Sequence, residues 1–118
     1  MGYISERLAS LRHALSGLKR MHLEEDNFKI HTHAAIITVV AGYFLNIHKT
    51  EWIIIFLCIA AVLVAEIFNT ALEKLCDMVN PETHPQIKYI KDISAGAVLL
   101  ASVASAIIGL MIFVPKFF

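Results

Sequence analysis

The sequence predicts an all-α membrane protein in which an N-terminal amphipathic surface helix precedes three membrane-spanning helices. Of the 118 residues, 58% are hydrophobic, and the mean hydropathy of +0.68 is too high for an ordinary soluble domain of this length. The apolar residues also fall into three long stretches, separated by short polar segments. By its length the chain is one domain, residues 1–118.

The charge and cysteine content exclude some classes of function. The chain has 10 basic and 10 acidic side chains and no net charge, so the composition suggests no nucleic-acid partner. Cys58 and Cys76 have neither the spacing of a metal site nor that of a disulfide framework.

Residues 1–27 are the predicted surface helix. Basic residues lie among its polar positions, and a basic amphipathic helix ahead of membrane spans suits the surface of a bilayer. The alternative is a helix packed on a soluble core. The acidic residues 24–26 are interpreted as a solvated turn. The apolar stripe recurs at alternating steps of four and three, at Ile4, Leu8, Leu11, Leu15 and Leu18.

The predicted spans are residues 28–47, 52–79 and 93–114. Each is long enough to cross a hydrocarbon core of about 30 Å. The second is longer than a crossing requires, so its second half is expected to project into the headgroup region or a polar cavity. Asn80 and Pro81 are expected to end it. The third span carries small residues at steps of four, a spacing that lets helices approach closely: Ala97, Ala101, Ser105 and Gly109.

The basic residues predict the orientation of the spans. Lys49 and Lys116 fall on one side of the predicted bilayer. The positive-inside rule places the richer side in the cytoplasm, with the N-terminus inside and the C-terminus outside. The side that is richer in basic residues, opposite Lys49 and Lys116, contains Arg7, Arg12, Lys19, Arg20, Lys29, Lys74, Lys88 and Lys91.

Residues 66–77 contain the main candidate site. Glu66 comes directly after a run of apolar residues, and Asn69, Glu73 and Asp77 follow it at steps of three and four, which place all of them on one helix face. A carboxylate that enters an apolar helix is costly, so such residues usually mark function. The alternative is the solvated amphipathic end of a core helix.

Carboxylates separated by one or two helical turns can hold a hard cation such as Mg²⁺, which brings nucleotide phosphates with it. A lysine beside them can neutralise charge on transferring phosphates, and Glu66, as the deepest carboxylate, can take a proton from an alcohol. The chain has neither the G-x-x-x-x-G-K-[ST] loop nor the G-x-G-x-x-G loop of common nucleotide sites. The carboxylates alone also fit an ion-translocating or purely structural membrane subunit.

Residues 66–77 resemble the motif E-x-x-N-[ST]-A-[IL]-E-x-x-x-D of the small prokaryotic diacylglycerol kinase family. Residues 91–98, KDISAGAV, resemble the second characteristic block of that family. Residues 25–31, EDNFKIH, resemble its E-x-N-F-R-x-H stretch ahead of the first span. The matches lie in order and at the right spacings over nearly the whole chain.

The resemblance implies a homotrimeric enzyme of the bacterial inner membrane that uses ATP and Mg²⁺ to phosphorylate a lipid hydroxyl at the cytoplasmic interface. It implies that Glu66 is the general base and that Glu25 and Glu73 bind the divalent metal that carries the nucleotide. It places Asn69 and Ala95 in supporting or substrate-facing positions. It assigns further ATP contacts to His13, Asp77, Glu82, Thr83, His84, Lys91 and Asp92.

The surface helix departs from the family pattern. His13 stands where the family often has Tyr, Ser16 replaces a frequent Lys, and Glu6 occupies a place where a basic nucleotide contact is expected. Arg7 and Arg12 are the alternatives for that contact.

The family has two branches, which phosphorylate diacylglycerol and undecaprenol. Residues 95–100 and 107–116 are more similar to the undecaprenol kinases, and Ala95 in place of a serine favours the same branch. Undecaprenol is therefore the predicted substrate, and diacylglycerol is the alternative.

Overall fold

The computed structural model describes residues 2–82 and 84–118, which are all-helical as predicted. The helices are α1 (Tyr3–Glu24), α2 (Asp26–Phe44), α3 (Lys49–Val79) and α4 (Pro85–Phe113), and a short 3-10 turn (Val114–Lys116) follows α4.

Two of the helices are long and apolar enough to cross a membrane, α3 and α4 with its 3-10 extension. Helix α2 has 19 residues, which corresponds to about 28 Å of helix, and it begins among the charged residues Asp26 and Lys29. A membrane crossing by α2, and with it the count of three spans, therefore stays a prediction.

Helix α1 contributes no buried residue to the chain. Its predicted apolar stripe is exposed along its whole length, from Ile4 at 74% to Leu18 at 44%. A helix packed on a soluble core would hide this stripe, so the exposure favours the predicted position on a bilayer surface.

A single residue in extended conformation, Glu25, joins α1 to α2. Its backbone N–H donates to Met21 O at 2.9 Å, and its carbonyl accepts from Lys29 N at 3.2 Å, so neither helix end is left without partners. The rings of His22 and Phe28 meet edge to face across this corner, with centroids 6.3 Å apart. The acidic residues 24–26 thus form an ordered corner between α1 and α2, at which the Asp26 side chain is 91% exposed.

Helix α2 ends in a Schellman motif. Asn46 adopts a left-handed conformation with φ 51°, its N–H donates to Tyr43 O, and Ile47 N–H donates to Gly42 O. The turn folds the chain back on itself: a Cβ atom at Gly42 would lie 2.9 Å from the Trp52 ring. Glycine at this position therefore lets α2 and α3 come together.

Helix α4 begins at Pro85, ahead of the predicted span at residue 93. Proline suits the first turn of a helix because its missing N–H has no partner there, and His84 Nδ1 accepts from Gln86 N at 3.1 Å as a cap. Lys88, Lys91 and Asp92 consequently lie within α4 rather than ahead of it.

Helices α3 and α4 pack around buried Ile55 and Ile112, which contact Ile47 from the turn. Ser105 Oγ donates a long hydrogen bond of 3.4 Å to Cys58 O. The small residues of α4 thus meet α3 of the same chain at this level.

The Schellman motif predicts opposite effects for two substitutions at Asn46. Asn46→Gly is expected to leave the free energy of unfolding unchanged or slightly higher, whereas Asn46→Val is expected to lower it by about 1–2 kcal/mol, because a β-branched residue is disfavoured at positive φ. Thermal unfolding of detergent-solubilised protein by circular dichroism measures both. Equal unfolding midpoints for the two variants would contradict the left-handed turn.

Candidate functional site

Glu66 is the centre of the candidate site. Its side chain is 6% exposed, although it belongs to a helix whose outer faces are largely apolar and open. Oε1 lies 3.6 Å from His31 Nε2 on α2. Oε2 is buried and has no hydrogen-bond partner within residues 2–82 and 84–118. Burying a carboxylate oxygen without a hydrogen-bond partner is energetically costly, and such groups are typical of functional sites.

His31 reaches Glu66 because of its position on the inward stripe of α2. Phe28, one turn earlier, is buried beside His22 of α1, and Gly42 is buried at the far end of the same helix. Thr32 Oγ1 donates to Phe28 O at 2.7 Å and so does not compete for the carboxylate. His31 lies on the same face of α2 as these two buried residues, and this face packs toward α3.

The face predicted on α3 continues beyond Glu66. Asn69 Nδ2 donates to Glu73 Oε1 at 3.4 Å, which is long for a hydrogen bond. Asn69 Oδ1 is buried and has no hydrogen-bond partner in the described part of the chain. Asp77, farther along, accepts from Lys91 Nζ of α4 at 2.5 Å. The row therefore runs from a buried carboxylate to a half-exposed ion pair.

Glu25 approaches this row from the corner between α1 and α2. Its Oε1 lies 3.7 Å from Nζ of Lys74, the residue that follows Glu73 on α3. The other acids of the cluster have local partners: Arg20 for Glu24 at 3.0 Å, and Lys29 for Asp26 at 3.7 Å. A cavity of about 220 Å³ opens beside the Glu25–Lys74 pair, and it is lined by Gly17, Arg20, Met21, Glu24, Glu25 and Lys74.

Other predicted nucleotide contacts lie at the connection between α3 and α4. Glu82 N–H donates to Asn80 Oδ1 at 3.0 Å, and its side chain is exposed. His84 is the cap of α4, and Asp92 accepts from Lys88 Nζ at 2.6 Å on the surface of that helix. Thr83 lies outside the described residues.

His13 and Ala95 are both exposed. His13 is on α1, and Ala95 follows Ser94, which is the second buried polar side chain of the described chain besides Glu66. The structure thus places Glu66, Asn69, Glu73 and Asp77 on one face of α3, whereas His13 lies exposed on α1, a helix without buried residues.

The oxygen donors of the site bear on whether it can hold Mg²⁺. The residues that the structure describes contain no group of three or more His, Cys, Asp or Glu side chains able to hold an ion by themselves. Mg²⁺ at nucleotide sites, however, usually takes one or two carboxylates besides phosphate oxygens and water. Glu73 beside the uncommitted Asn69 Oδ1 offers hard oxygen ligands of this kind, so the residues fit an ion that arrives with a nucleotide.

An apolar groove of about 330 Å³ runs from His31 along α3 and α4 to Phe113. Most of its lining is aliphatic. Two of its hydroxyls are committed to backbone carbonyls, Thr38 to Ala34 at 2.8 Å and Ser105 to Cys58 at 3.4 Å. Ser102 Oγ is buried without a partner among the described residues.

Two residues contact the site although the sequence assigned them no role in it, His31 and Lys74. In the sequence, His31 belongs only to the EDNFKIH stretch, and Lys74 is one of the basic residues that predict the orientation. The signal for His31 is its spacing from Phe28 and Gly42 along α2, which marks the inward stripe. Nothing in the sequence pairs Lys74 with Glu25.

The fold and the site together define a class of protein. An all-helical chain, with two helices able to cross a membrane and a carboxylate row that runs from a buried level to a charged end, has the form of a membrane protein with a polar site at the edge of its apolar region.

Comparison with known proteins gives the family. Residues 12–113 match the family model described as prokaryotic diacylglycerol kinase. The chain is 40% identical over 107 residues to undecaprenol kinase of Bacillus subtilis, covering 91% of this chain and 87% of that protein. It is 34% identical to diacylglycerol kinase of Synechocystis sp., covering 92% of this chain and 62% of that protein. Diacylglycerol kinase of Helicobacter pylori is 30% identical over 77% of this chain and 71% of its own length.

The chain belongs to the prokaryotic diacylglycerol kinase family. It is therefore a bacterial membrane protein and a lipid kinase, which excludes an ion-translocating or purely structural subunit.

Proposed function

We propose that this kinase transfers the γ-phosphoryl group of ATP to the hydroxyl of undecaprenol. The observation that carries the proposed chemistry is Glu66, a buried carboxylate whose Oε2 has no partner in the described residues. His31, whose Nε2 lies 3.6 Å from Glu66 Oε1, lines one end of an apolar groove. Similarity to the Bacillus subtilis undecaprenol kinase over most of both chains supports the choice of lipid.

In the proposed reaction, Glu66 takes the proton of the acceptor hydroxyl while the hydroxyl oxygen forms a bond to the γ-phosphorus. The bond between the γ-phosphorus and the β–γ bridging oxygen breaks, and ADP leaves with that electron pair. The products are the lipid phosphate, ADP and a proton on Glu66. Burial of Glu66 keeps competing water away from the transferring group.

Glu25 and Glu73 are proposed to hold Mg²⁺, which when bound supplies positive charge against the nucleotide phosphates. Lys74 and Lys91 add charge nearby, each now paired with a carboxylate in a partly exposed ion pair. Such pairs are worth about 1 kcal/mol or less, so a phosphate can exchange for the carboxylate at small cost. Further nucleotide contacts are proposed for His13, Asp77, Glu82, Thr83, His84 and Asp92.

The apolar groove supports a prenyl alcohol over diacylglycerol. Diacylglycerol carries ester carbonyls, and a selective site would offer them hydrogen-bond donors. Among the described residues that line the groove, Thr38 and Ser105 already donate to the backbone, which leaves Ser102 as the uncommitted hydroxyl. Ala95 adds no donor. A lone primary alcohol on a long apolar tail needs no more than this.

We further propose that α2 is the third span, that the N-terminus is cytoplasmic, and that the enzyme is a homotrimer. The cationic residues support the orientation, because Lys74 and Lys91 lie at the end of the bundle with the site, and Lys116 pairs with Glu51 at the other end. Large exposed apolar side chains along α2, α3 and α4 leave ample surface for lipid and for neighbouring subunits.

Replacement of the proposed base tests the chemistry. Glu66→Gln keeps the shape of the side chain and removes its basicity, so it is expected to lower kcat by about 10²–10⁴-fold while ATP binding stays within about twofold. Transfer from labelled ATP and nucleotide binding are measured on the same purified protein. Glu51→Gln, at the opposite end of α3, is the matched control and should remain active. Near-normal turnover of Glu66→Gln would remove the base assignment.

A parallel assay of three lipids tests the acceptor. Undecaprenol, diacylglycerol and ceramide are offered in identical mixed micelles, and kcat/KM is compared for the wild type. We expect undecaprenol to be favoured by about tenfold or more, which is about 1.4 kcal/mol in transition-state binding. A preference of that size for diacylglycerol would move the protein to the other branch and leave the catalytic assignments standing.

The Mg²⁺ dependence of activity tests the proposed ligands. Glu73→Gln and Glu25→Gln should each raise the Mg²⁺ concentration needed for half-maximal rate by about tenfold, with partial recovery at excess Mg²⁺, because each removes a carboxylate ligand. Glu24→Gln, next to Glu25 but paired with Arg20, is the control. An unchanged Mg²⁺ dependence in both variants would mean that ATP alone holds the ion.

A further inference from the structure

His31 is the described residue whose side chain approaches the Glu66 carboxylate within ion-pair distance. Its Nε2 lies 3.6 Å from Oε1, beyond ordinary hydrogen-bond length, and the ring is 28% exposed against 6% for Glu66. Glu25, which approaches the same row from the corner between α1 and α2, has Lys74 Nζ 3.7 Å from its Oε1.

The neighbouring histidine has a different role. The His33 ring is exposed, its Nδ1 lies 2.7 Å from Lys29 O, and its nearest aromatic neighbour is His22. His31 therefore faces the buried Glu66 carboxylate, whereas His33, two residues later on the same helix, is exposed. This difference makes His33 a matched control for His31.

A general base has to be ionised and correctly aimed when the acceptor arrives. A carboxylate taken out of water loses several kcal/mol of hydration unless an opposite charge or a hydrogen-bond donor compensates. At 3.6 Å from Oε1, the imidazole is placed to give this compensation to that oxygen when it approaches, while Oε2 has no partner among the described residues. Contacts of this kind are often long without substrate and shorten when the reacting complex forms.

We propose that His31 is the positioning residue of the reaction, holding Glu66 through Oε1 so that Oε2 meets the acceptor hydroxyl. This inference rests on the proposed function of Glu66 and deepens it. The proton goes from the hydroxyl to Glu66 Oε2, and His31 touches neither the acceptor nor the phosphoryl group. The His31 ring also lines one end of the apolar groove. It therefore lies between the space proposed for the lipid tail and the Glu66 carboxylate.

The test compares four variants of the full-length enzyme in the same micelles, with whichever of the three lipids the wild type phosphorylates fastest. His31→Ala is expected to lower kcat by about tenfold to a hundredfold, with KM for ATP within about twofold, because orientation is lost and nucleotide contacts are kept. His31→Gln retains an N–H donor and should recover part of the rate. His33→Ala should behave as the wild type, and Glu66→Gln supplies the baseline.

Imidazole added to the assay separates positioning from a structural role. A ring that acts on Glu66 can be replaced by free imidazole in the space that His31→Ala opens, so the rate of this variant should rise several-fold. His33→Ala and Glu66→Gln should not respond. Thermal unfolding of each variant checks that the fold is retained, and His31→Gln carries the test if His31→Ala unfolds.

Wild-type kcat in His31→Ala, or a loss that neither glutamine nor imidazole reverses, would overturn the proposal. Failure of the proposed function has a different result: Glu66→Gln would then remain active whatever His31 does. In the double variant of His31→Ala with Glu66→Gln, a positioning residue adds little to the loss already caused by Glu66→Gln.

Discussion

The fold is built around one buried carboxylate and the histidine opposite it. Glu66 is buried in a helix that is otherwise apolar for several turns before it, and α2 has to bring His31 to the same level. Two short connections set this register. Glu25 turns the chain between α1 and α2 in a single residue, and the Schellman motif at Asn46 with the close approach of Gly42 to Trp52 returns it into α3. A shift of α2 by one residue would rotate its inward stripe by about 100° and take His31 away from the carboxylate.

The charged groups are divided between the two ends of the bundle. At one end Lys74 meets Glu25 and Lys91 meets Asp77, so that α1, α3 and α4 are joined through residues of the proposed nucleotide site. At the other end Lys116 meets Glu51 where α4 ends and α3 begins. Partly exposed pairs contribute little stability, so the packing of α3 against α4 is carried by Ile55, Ile112 and their neighbours. The proposed exchange of carboxylate for phosphate at Lys74 and Lys91 would therefore leave the packing of α3 against α4 intact.

The apolar groove ends at His31, the residue that faces Glu66. Its lining reaches from Phe113 to His31, and small residues such as Ser105 and Gly109 leave the space that larger side chains would fill. The same small residues bring α4 close to α3 within one chain, as the contact between Ser105 and Cys58 illustrates. A stripe of small residues in a membrane helix therefore does not by itself indicate which helix packs against it, since the spacing that suits a neighbouring subunit also suits the next helix of the same chain.

The sequence by itself determined the helical class, the apolar spans of α3 and α4, and the row Glu66, Asn69, Glu73 and Asp77, because helical periodicity and local motifs need no knowledge of other elements. The family also followed from these local motifs. The tertiary structure decided which residues of other helices meet this row. Glu25 with Lys74, Lys91 with Asp77, and above all His31 with Glu66 are contacts between elements, and no spacing along one helix specifies them. The early start of α4 at Pro85 has a similar origin, because membrane hydropathy marks the apolar part of a helix and not its capped polar beginning.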